Sequence, residues 1–157
     1  MHAVVNNTVL SNFALVRRPD LVRQSFDHIV VTRQVLAELR AGERLRRLPV
    51  CDWSWLKVSA LTRQERILAD RLSKTVDVGE ASCLAVASTR KLIFLTDDRD
   101  ARRLAGLMQV SLSGTLGILQ SLIDDERIDL NVANRLLAEM IDKGYHSPVR
   151  SLQELSE

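Results

Sequence analysis

Several features that would announce a function are scarce or missing. Lysine is scarce: only residues 57, 74, 91 and 143 of the 22 basic residues are lysine, so the other 18 are arginine. No polybasic block is present and the net charge is only +2, so charge alone does not point to nucleic acid. Cysteine is limited to Cys51 and Cys83, too few and too far apart for a disulfide framework or a zinc site. Aromatic residues make up 4%, which argues against aromatic platforms as the main way of holding a single strand. No apolar run approaches the ~18 residues of a membrane span. The opening MHAVVNNTVL lacks the basic start and apolar core of a secretory signal. The expectation is a cytoplasmic protein with reduced thiols and no membrane contact.

What remains is globular. The chain has 157 residues, 46% hydrophobic and 27% charged, which suits one domain over 1–157. That balance excludes a disordered tail, a collagen-like fibre and a coiled-coil rod. Such a chain buries roughly two-thirds of its unfolded surface and needs no staples.

Short β-branched runs alternate with helical spacing. Ala3 to Val5, His28 to Val31, Leu92 to Leu95 and Gln109 to Leu112 read as strands, with a short extended segment over Trp53 to Val58. Helices are expected over Thr8 to Val16 and from Pro19. Another runs from the Thr32 cap to a stop at Gly42. Thr62 with Glu65 and Asp77 with Glu80 have capping-box spacing, opening helices to about Ser73 and Thr89. Further helices are expected over Asp98 to Ala105, Gly114 to Ile123 and Leu130 to Lys143, with a last short one after Pro148. Strands spaced by helices imply an α/β fold with right-handed crossovers and a mostly parallel central sheet flanked by helices. In such sheets function gathers beyond the carboxyl ends of the strands.

That rule selects Asn6-Asn7-Thr8 after the first strand and Thr96-Asp97-Asp98-Arg99-Asp100 after a late one. Glu80 at a helix start and Glu38 inside another helix add carboxylates. Carboxylates converging at one sheet edge repel unless a cation holds them, and oxygen-only ligands select Mg²⁺ or Mn²⁺. Each residue also has a plainer role. Glu80 can close a capping box, Asp97 or Asp98 can cap a helix, and Glu38 can face solvent. Asn6 and Asn7 can bond their own backbone, and Trp53 and Trp55 can pack or form an interface. No spacing of the histidines suggests a transition-metal site, and Gly106, Gly114 and Gly117 form no phosphate-cradling loop.

The order of these motifs, over nearly the whole chain, resembles the PIN-domain family of metal-dependent ribonucleases, which includes toxins of toxin–antitoxin pairs. Val4-Val5-Asn6-Asn7-Thr8-Val9-Leu10 looks like its first-strand motif, with Asn6 where the family has an aspartate. Glu38 in Val35-Leu36-Ala37-Glu38-Leu39, Glu80 in Val78-Gly79-Glu80-Ala81-Ser82, and Asp98 with Asp97 in Leu95 to Arg102 match its other acidic motifs. The tail is similar to a poorly characterised branch with extra C-terminal helices, here from about residue 130.

The resemblance implies a three-layer PIN-like fold and an endoribonuclease, dependent on Mg²⁺ or Mn²⁺, that hydrolyses single-stranded RNA as the toxin of such a pair. It implies Asn6, Glu38, Glu80 and Asp98 as catalytic, with Glu80, Asp98, Asp97 and Asn6 around the metal and Thr8 and Thr115 as supporting hydroxyls. A small antitoxin and a homodimer are the implied partners. Asn6 offers an amide oxygen but no charge, which weakens metal binding by a few kcal/mol at an effective dielectric of ~20. One metal held mainly by Glu80 and Asp98 is then expected. Asn6 also favours an alternative, a degenerate RNA- or protein-binding module. A receiver-like phosphotransfer domain is a third class, but it wants its paired acids after the first strand. Arg40, Arg44, Arg46 and Arg47, with Arg99, are expected to bind RNA as a basic rim around the acidic centre.

Overall fold

The computed structural model describes residues 1–156. Five strands form one sheet: β1 (His2–Val5), β2 (His28–Thr32), β3 (Lys57–Ser59), β4 (Ile93–Leu95) and β5 (Leu112–Ser113). The helices are α1 (Asn7–Leu15), α2 (Pro19–Gln24), α3 (Arg33–Arg44), α4 (Arg63–Leu72), α5 (Val78–Arg90), α6 (Arg99–Leu107), α7 (Thr115–Asp124) and α8 (Leu130–Asp142), followed by a 3₁₀ turn at Leu152–Ser156.

The sheet is all-parallel in the order β3-β2-β1-β4-β5. The central strands carry the most apolar residues, because helices cover both of their faces. Ala3, Val4 and Val5 of β1 and Phe94 and Leu95 of β4 are all buried. β3 lies at an edge and exposes Lys57, a charge that discourages further strand pairing. From β1 the chain proceeds to one side of the sheet, and from β4 to the other. The carboxyl ends of β1 and β4 therefore flank the point where the winding reverses, the place where such sheets open a crevice.

α5 packs across β1, β2 and β4 and touches α3, α4 and α6. Its start, Gly79 to Ala87, is buried throughout, which places Glu80 at the sheet rather than in solvent. α8 lies against α7 and α1, and its Ala133, Leu137 and Met140 join the same core as Phe13 and Phe94. Trp53 also belongs to this core, 3% exposed and tilted against Trp55, so it packs inward instead of offering an interface. Cys51 and Cys83 are free thiols.

Three element boundaries differ from the sequence reading. α3 runs through Gly42 to Arg44, because the left-handed residue that ends it is Arg46 (φ 57°). Arg46 N donates to Glu43 O (3.1 Å) and Arg47 N to Gly42 O (2.9 Å), a Schellman closure without glycine. The segment from Trp53 is a turn in which Leu56 N donates to Trp53 O (2.9 Å), so the strand starts only at Lys57. β5 is confined to Leu112–Ser113 because Gln109 (φ 58°) closes α6 in the same left-handed way. Val110 N there donates to Ala105 O (2.9 Å).

Candidate functional site

Asn6 leaves β1 as the cap of α1, 2% exposed. Its Oδ1 accepts from Asn7 N (2.8 Å) and its Nδ2 donates to Thr96 Oγ1 (3.0 Å), which fixes the amide orientation. Thr96, at the end of β4, is the hub of the crevice. Its Oγ1 also accepts from Asp98 N (3.2 Å) and lies 3.4 Å from Thr8 Oγ1. Thr8 Oγ1 in turn accepts from Asp97 N (3.0 Å). The ends of β1 and β4 are thus tied through hydroxyls, and the turn carrying both aspartates is held rigidly.

The two aspartates then diverge. Asp98 caps α6, its Oδ2 accepting from Ala101 N (2.9 Å), which leaves Oδ1 for another partner. Asp97 is occupied on both oxygens. Oδ1 accepts from Thr115 N (2.8 Å), and Oδ2 accepts from the Thr115 hydroxyl and from Asn12 Nδ2 (3.0 Å). Asp97 thereby ties α7 to α1, with Thr115 as its support and Asn12 shared between them (3.1 Å to Thr115 Oγ1). Burial pushes the Asp97 carboxyl up from its ordinary range, and the Thr115 and Asn12 donors pull against that. Only glycine fits at 114, where a Cβ would lie 2.5 Å from Asp97 Oδ1 and 2.8 Å from Thr96 O.

Glu80 and Asp77 form the expected capping box. Glu80 N donates to Asp77 Oδ1 (2.8 Å) and Asp77 N to Glu80 Oε2 (3.2 Å), so Glu80 Oε1 stays free. Glu80 is 7% exposed, and its carboxyl is pushed up to about 8 by burial, then by Asp77 and Asp98. Glu38 is half-buried on α3, and burial and then Asp77 push it up too. It lies against α5: a Cβ at Gly79 would sit 1.9 Å from Glu38 Oε1. The two helix starts are pinned by Thr32 Oγ1 and Ser82 Oγ, 2.8 Å apart, with Thr32 capping α3 and Ser82 Oγ donating to Gly79 O (2.6 Å).

Glu38, Asp77, Glu80 and Asp98 therefore share one edge, and none forms an ion pair among the described residues. Glu80 is the buried member of the four, Glu38 and Asp98 are half-buried and Asp77 is exposed; a buried carboxylate without a cation is costly unless something neutralises it. The free oxygens of the four suit a hard divalent cation. No three His, Cys, Asp or Glu side chains among the described residues form a ready cage. Mg²⁺ does not require one, since it is usually held by one or two carboxylates and keeps several waters. Glu80 and Asp98, each with one uncommitted oxygen, fit that pattern best; both Asp97 oxygens already accept hydrogen bonds, which makes Asp97 the less available ligand.

Asp77 and Asn12 carry no site signal in the sequence: Asp77 reads as a cap only, and nothing local marks Asn12. Thr96 falls in the stretch selected after the late strand, but its part as the hub is not readable from that position. Of the expected RNA-binding arginines, Arg99 begins α6 beside Asp98. Arg40 pairs with Glu43 (3.0 Å). Arg44 ends α3, about 9 Å along the axis beyond Glu38, and Arg46 and Arg47 follow it. Arg44, Arg46 and Arg47 thus lie toward the far end of the helix, whereas Arg40 is only about 3 Å along the axis beyond Glu38.

The DUF3368 family model, described as a PIN domain, matches residues 2–157. No curated protein matches the chain. Among the described residues no helix is long and apolar enough to cross a membrane.

Proposed function

The chain belongs to the PIN-domain family, whose members are generally nucleases, and from that premise we propose that it is a divalent-metal-dependent endoribonuclease acting on single-stranded RNA. The observation that carries this reading is the uncompensated set Glu38, Asp77, Glu80 and Asp98 at the switch point of the sheet. In this reading Glu80 and Asp98 would hold Mg²⁺ or Mn²⁺, and Glu38 would complete the shell directly or through water. When bound, the cation supplies neutralisation of the phosphodiester and a lowered pKa for attacking water. Asn6, oriented by Asn7 and Thr96, offers its Oδ1 to that water or to the cation. Thr8 and Thr96 hold the Asp98 turn in place, and Asp97 with Thr115 holds α7 against it.

The same reading makes the protein the toxin of a toxin–antitoxin pair, a homodimer in the cytoplasm neutralised by a small antitoxin. A small open reading frame beside the gene, whose product co-purifies with the chain, is the expected finding; its absence removes the toxin role. Asn6 favours a second reading, a degenerate module that binds RNA or protein without cutting. The separating experiment is cleavage of a quenched single-stranded RNA in Mn²⁺ by wild type, Asp98→Asn and Asn6→Asp. Wild-type cleavage that Asp98→Asn abolishes and Asn6→Asp raises supports the enzyme. Equal background in all three leaves the degenerate module.

A further inference from the structure

Beside the acidic edge runs a groove of about 970 Å³, at the upper end of the roughly 300–1,000 Å³ of ligand sites. One wall is α1, through Thr8 and Ser11; another is the start of α6, through Asp98 and Arg99; the segment Lys143 to Pro148 closes the third side. Thr8 and Asp98 line the groove where it meets the acidic edge, so a chain lying in it reaches Asp98. Away from that junction the lining changes sign. Arg99 is exposed and has no carboxylate partner among the described residues. Lys143 Nζ donates to Leu15 O (3.0 Å) and to Glu139 Oε1 (2.9 Å). The Glu139 pair is exposed and screened, and a third proton remains for an anion. Tyr145, the only tyrosine, lines the groove half-buried, with His146 exposed beside it.

These side chains sit on a fixed backbone. α8 closes through Gly144 (φ 118°), with Tyr145 N donating to Met140 O (2.9 Å). Val149 N donates to Ser147 Oγ (3.2 Å), which holds the next turn. The rings and the ammonium group are thus presented in advance of any ligand, which lowers the ordering cost of binding.

We propose that this groove holds the nucleotides flanking the scissile phosphodiester, with Arg99 and Lys143 on backbone phosphates and the rings of Tyr145 and His146 against bases. The inference rests on the ribonuclease reading, and it moves the RNA path from the arginines at the end of α3 to the junction of α1, α6 and the segment after α8. Cations beside rings match a single strand, which repeats both a charged phosphate and a base with a π face.

The test is fluorescence anisotropy with a short labelled single-stranded RNA in EDTA, so that nothing is cut, with salt varied from about 50 to 200 mM. Tyr145→Leu is expected to weaken binding roughly tenfold with an unchanged salt slope, as loss of stacking does. His146→Ala, at an exposed position, gives a several-fold loss and keeps the test intact if Tyr145→Leu melts early. Arg99→Gln with Lys143→Gln should lower the slope of log K against log salt by about 1.4, near 0.7 for each phosphate contact on a single strand. Arg44→Gln with Arg46→Gln should change neither affinity nor slope. Loss confined to the Arg44 and Arg46 pair, with the groove variants binding like wild type, overturns the groove and leaves the RNA reading standing. A wild-type protein that does not bind RNA overturns both.

Discussion

Replacing Glu80 by glutamine separates stability from function in a way that the acidic edge makes quantitative. Glu80 is 7% exposed, beside Asp77 and Asp98, and its carboxyl is pushed up to about 8. Keeping a carboxyl ionised when its pKa has moved from about 4.3 to about 8 costs at most about 5 kcal/mol. Relaxation and entering water remove part of that, and about 2 kcal/mol is a fair working figure. The folded-state value lies above the unfolded one, so the folded protein holds the proton more tightly. This contribution is complete below the unfolded value and is lost as pH rises toward 8. Without metal, wild type is therefore expected to melt lower at pH 8.5 than at pH 6, while Glu80→Gln loses that part of the slope. The amide oxygen still accepts from Asp77 N, so the cap survives. At pH 8.5 in EDTA the variant should melt about 5 °C higher, at roughly 2–4 °C per kcal/mol for a chain of this size. Mn²⁺ should reverse the order, raising the wild-type melting temperature more as pH increases and leaving Glu80→Gln nearly unmoved. Thermal melts with and without Mn²⁺ at both pH values decide it. A variant that melts lower than wild type in EDTA at pH 8.5, or that gains as much from Mn²⁺, refutes the reasoning.

Arg90→Ala should cost about 3–5 kcal/mol and lower the melting temperature by about 10 °C. It strands Glu65, 0% exposed, which Arg90 holds through Nε and Nη2 at 2.9 Å each. The Arg90 hydrogen bonds hold the Glu65 pKa below its ordinary value, so this stability is present above about pH 4 and lost as pH falls through the folded value. The gap between wild type and variant should narrow on acidification, and a constant gap in denaturant melts would count against the pair. Gly79→Ala should leave the melting temperature level or slightly raised, since alanine favours a helix. It must displace Glu38 Oε1, so Mn²⁺-dependent cleavage should fall at least tenfold; unchanged cleavage would remove Glu38 from the site. Gln109→Gly should stabilise by about 0.5–1 kcal/mol, because relief of the left-handed backbone outweighs the added freedom of the unfolded chain. A lower melting temperature would contradict that.

Much of the fold was legible because local chemistry and global packing agree. The two capping boxes, Thr62 with Glu65 and Asp77 with Glu80, form as their spacing implies. The strands around β1 and β4 follow from their β-branched and apolar runs. Helix ends were less legible for a specific reason. The chain has six glycines, and after α1, α3, α5, α6 and α7 the left-handed position is filled by Arg17, Arg46, Lys91, Gln109 and Glu126. None of these advertises a stop, and Gly42, which does, lies inside a helix whose surface Leu48 covers. The alternation from Trp53 to Val58 misled in the opposite sense. Trp53 and Leu56 are both buried, but a turn brings them inward, not a strand.

At the candidate site, chain order nominates Asn6, Glu38, Glu80 and Asp98, but it cannot divide labour between adjacent aspartates. That division is made by Asn12 and Thr115, both distant in sequence, which occupy Asp97 and leave Asp98 an oxygen to spare. The same neighbourhood gives Asn6 a physical meaning. Glu38, Asp77, Glu80 and Asp98 already lack cations and already push Glu80 up. An aspartate at position 6 would place a further charge beside them, near the turn that Thr96 organises. The amide keeps both hydrogen bonds of that turn, since Oδ1 accepts from Asn7 and Nδ2 donates to Thr96. On the proposed metal-dependent reading, the missing charge at Asn6 favours the metal-free fold and weakens the pull on a divalent cation together, so that metal affinity and apo stability oppose each other. Asn6→Asp should shift both at once, lowering the melting temperature in EDTA and deepening the response to Mn²⁺.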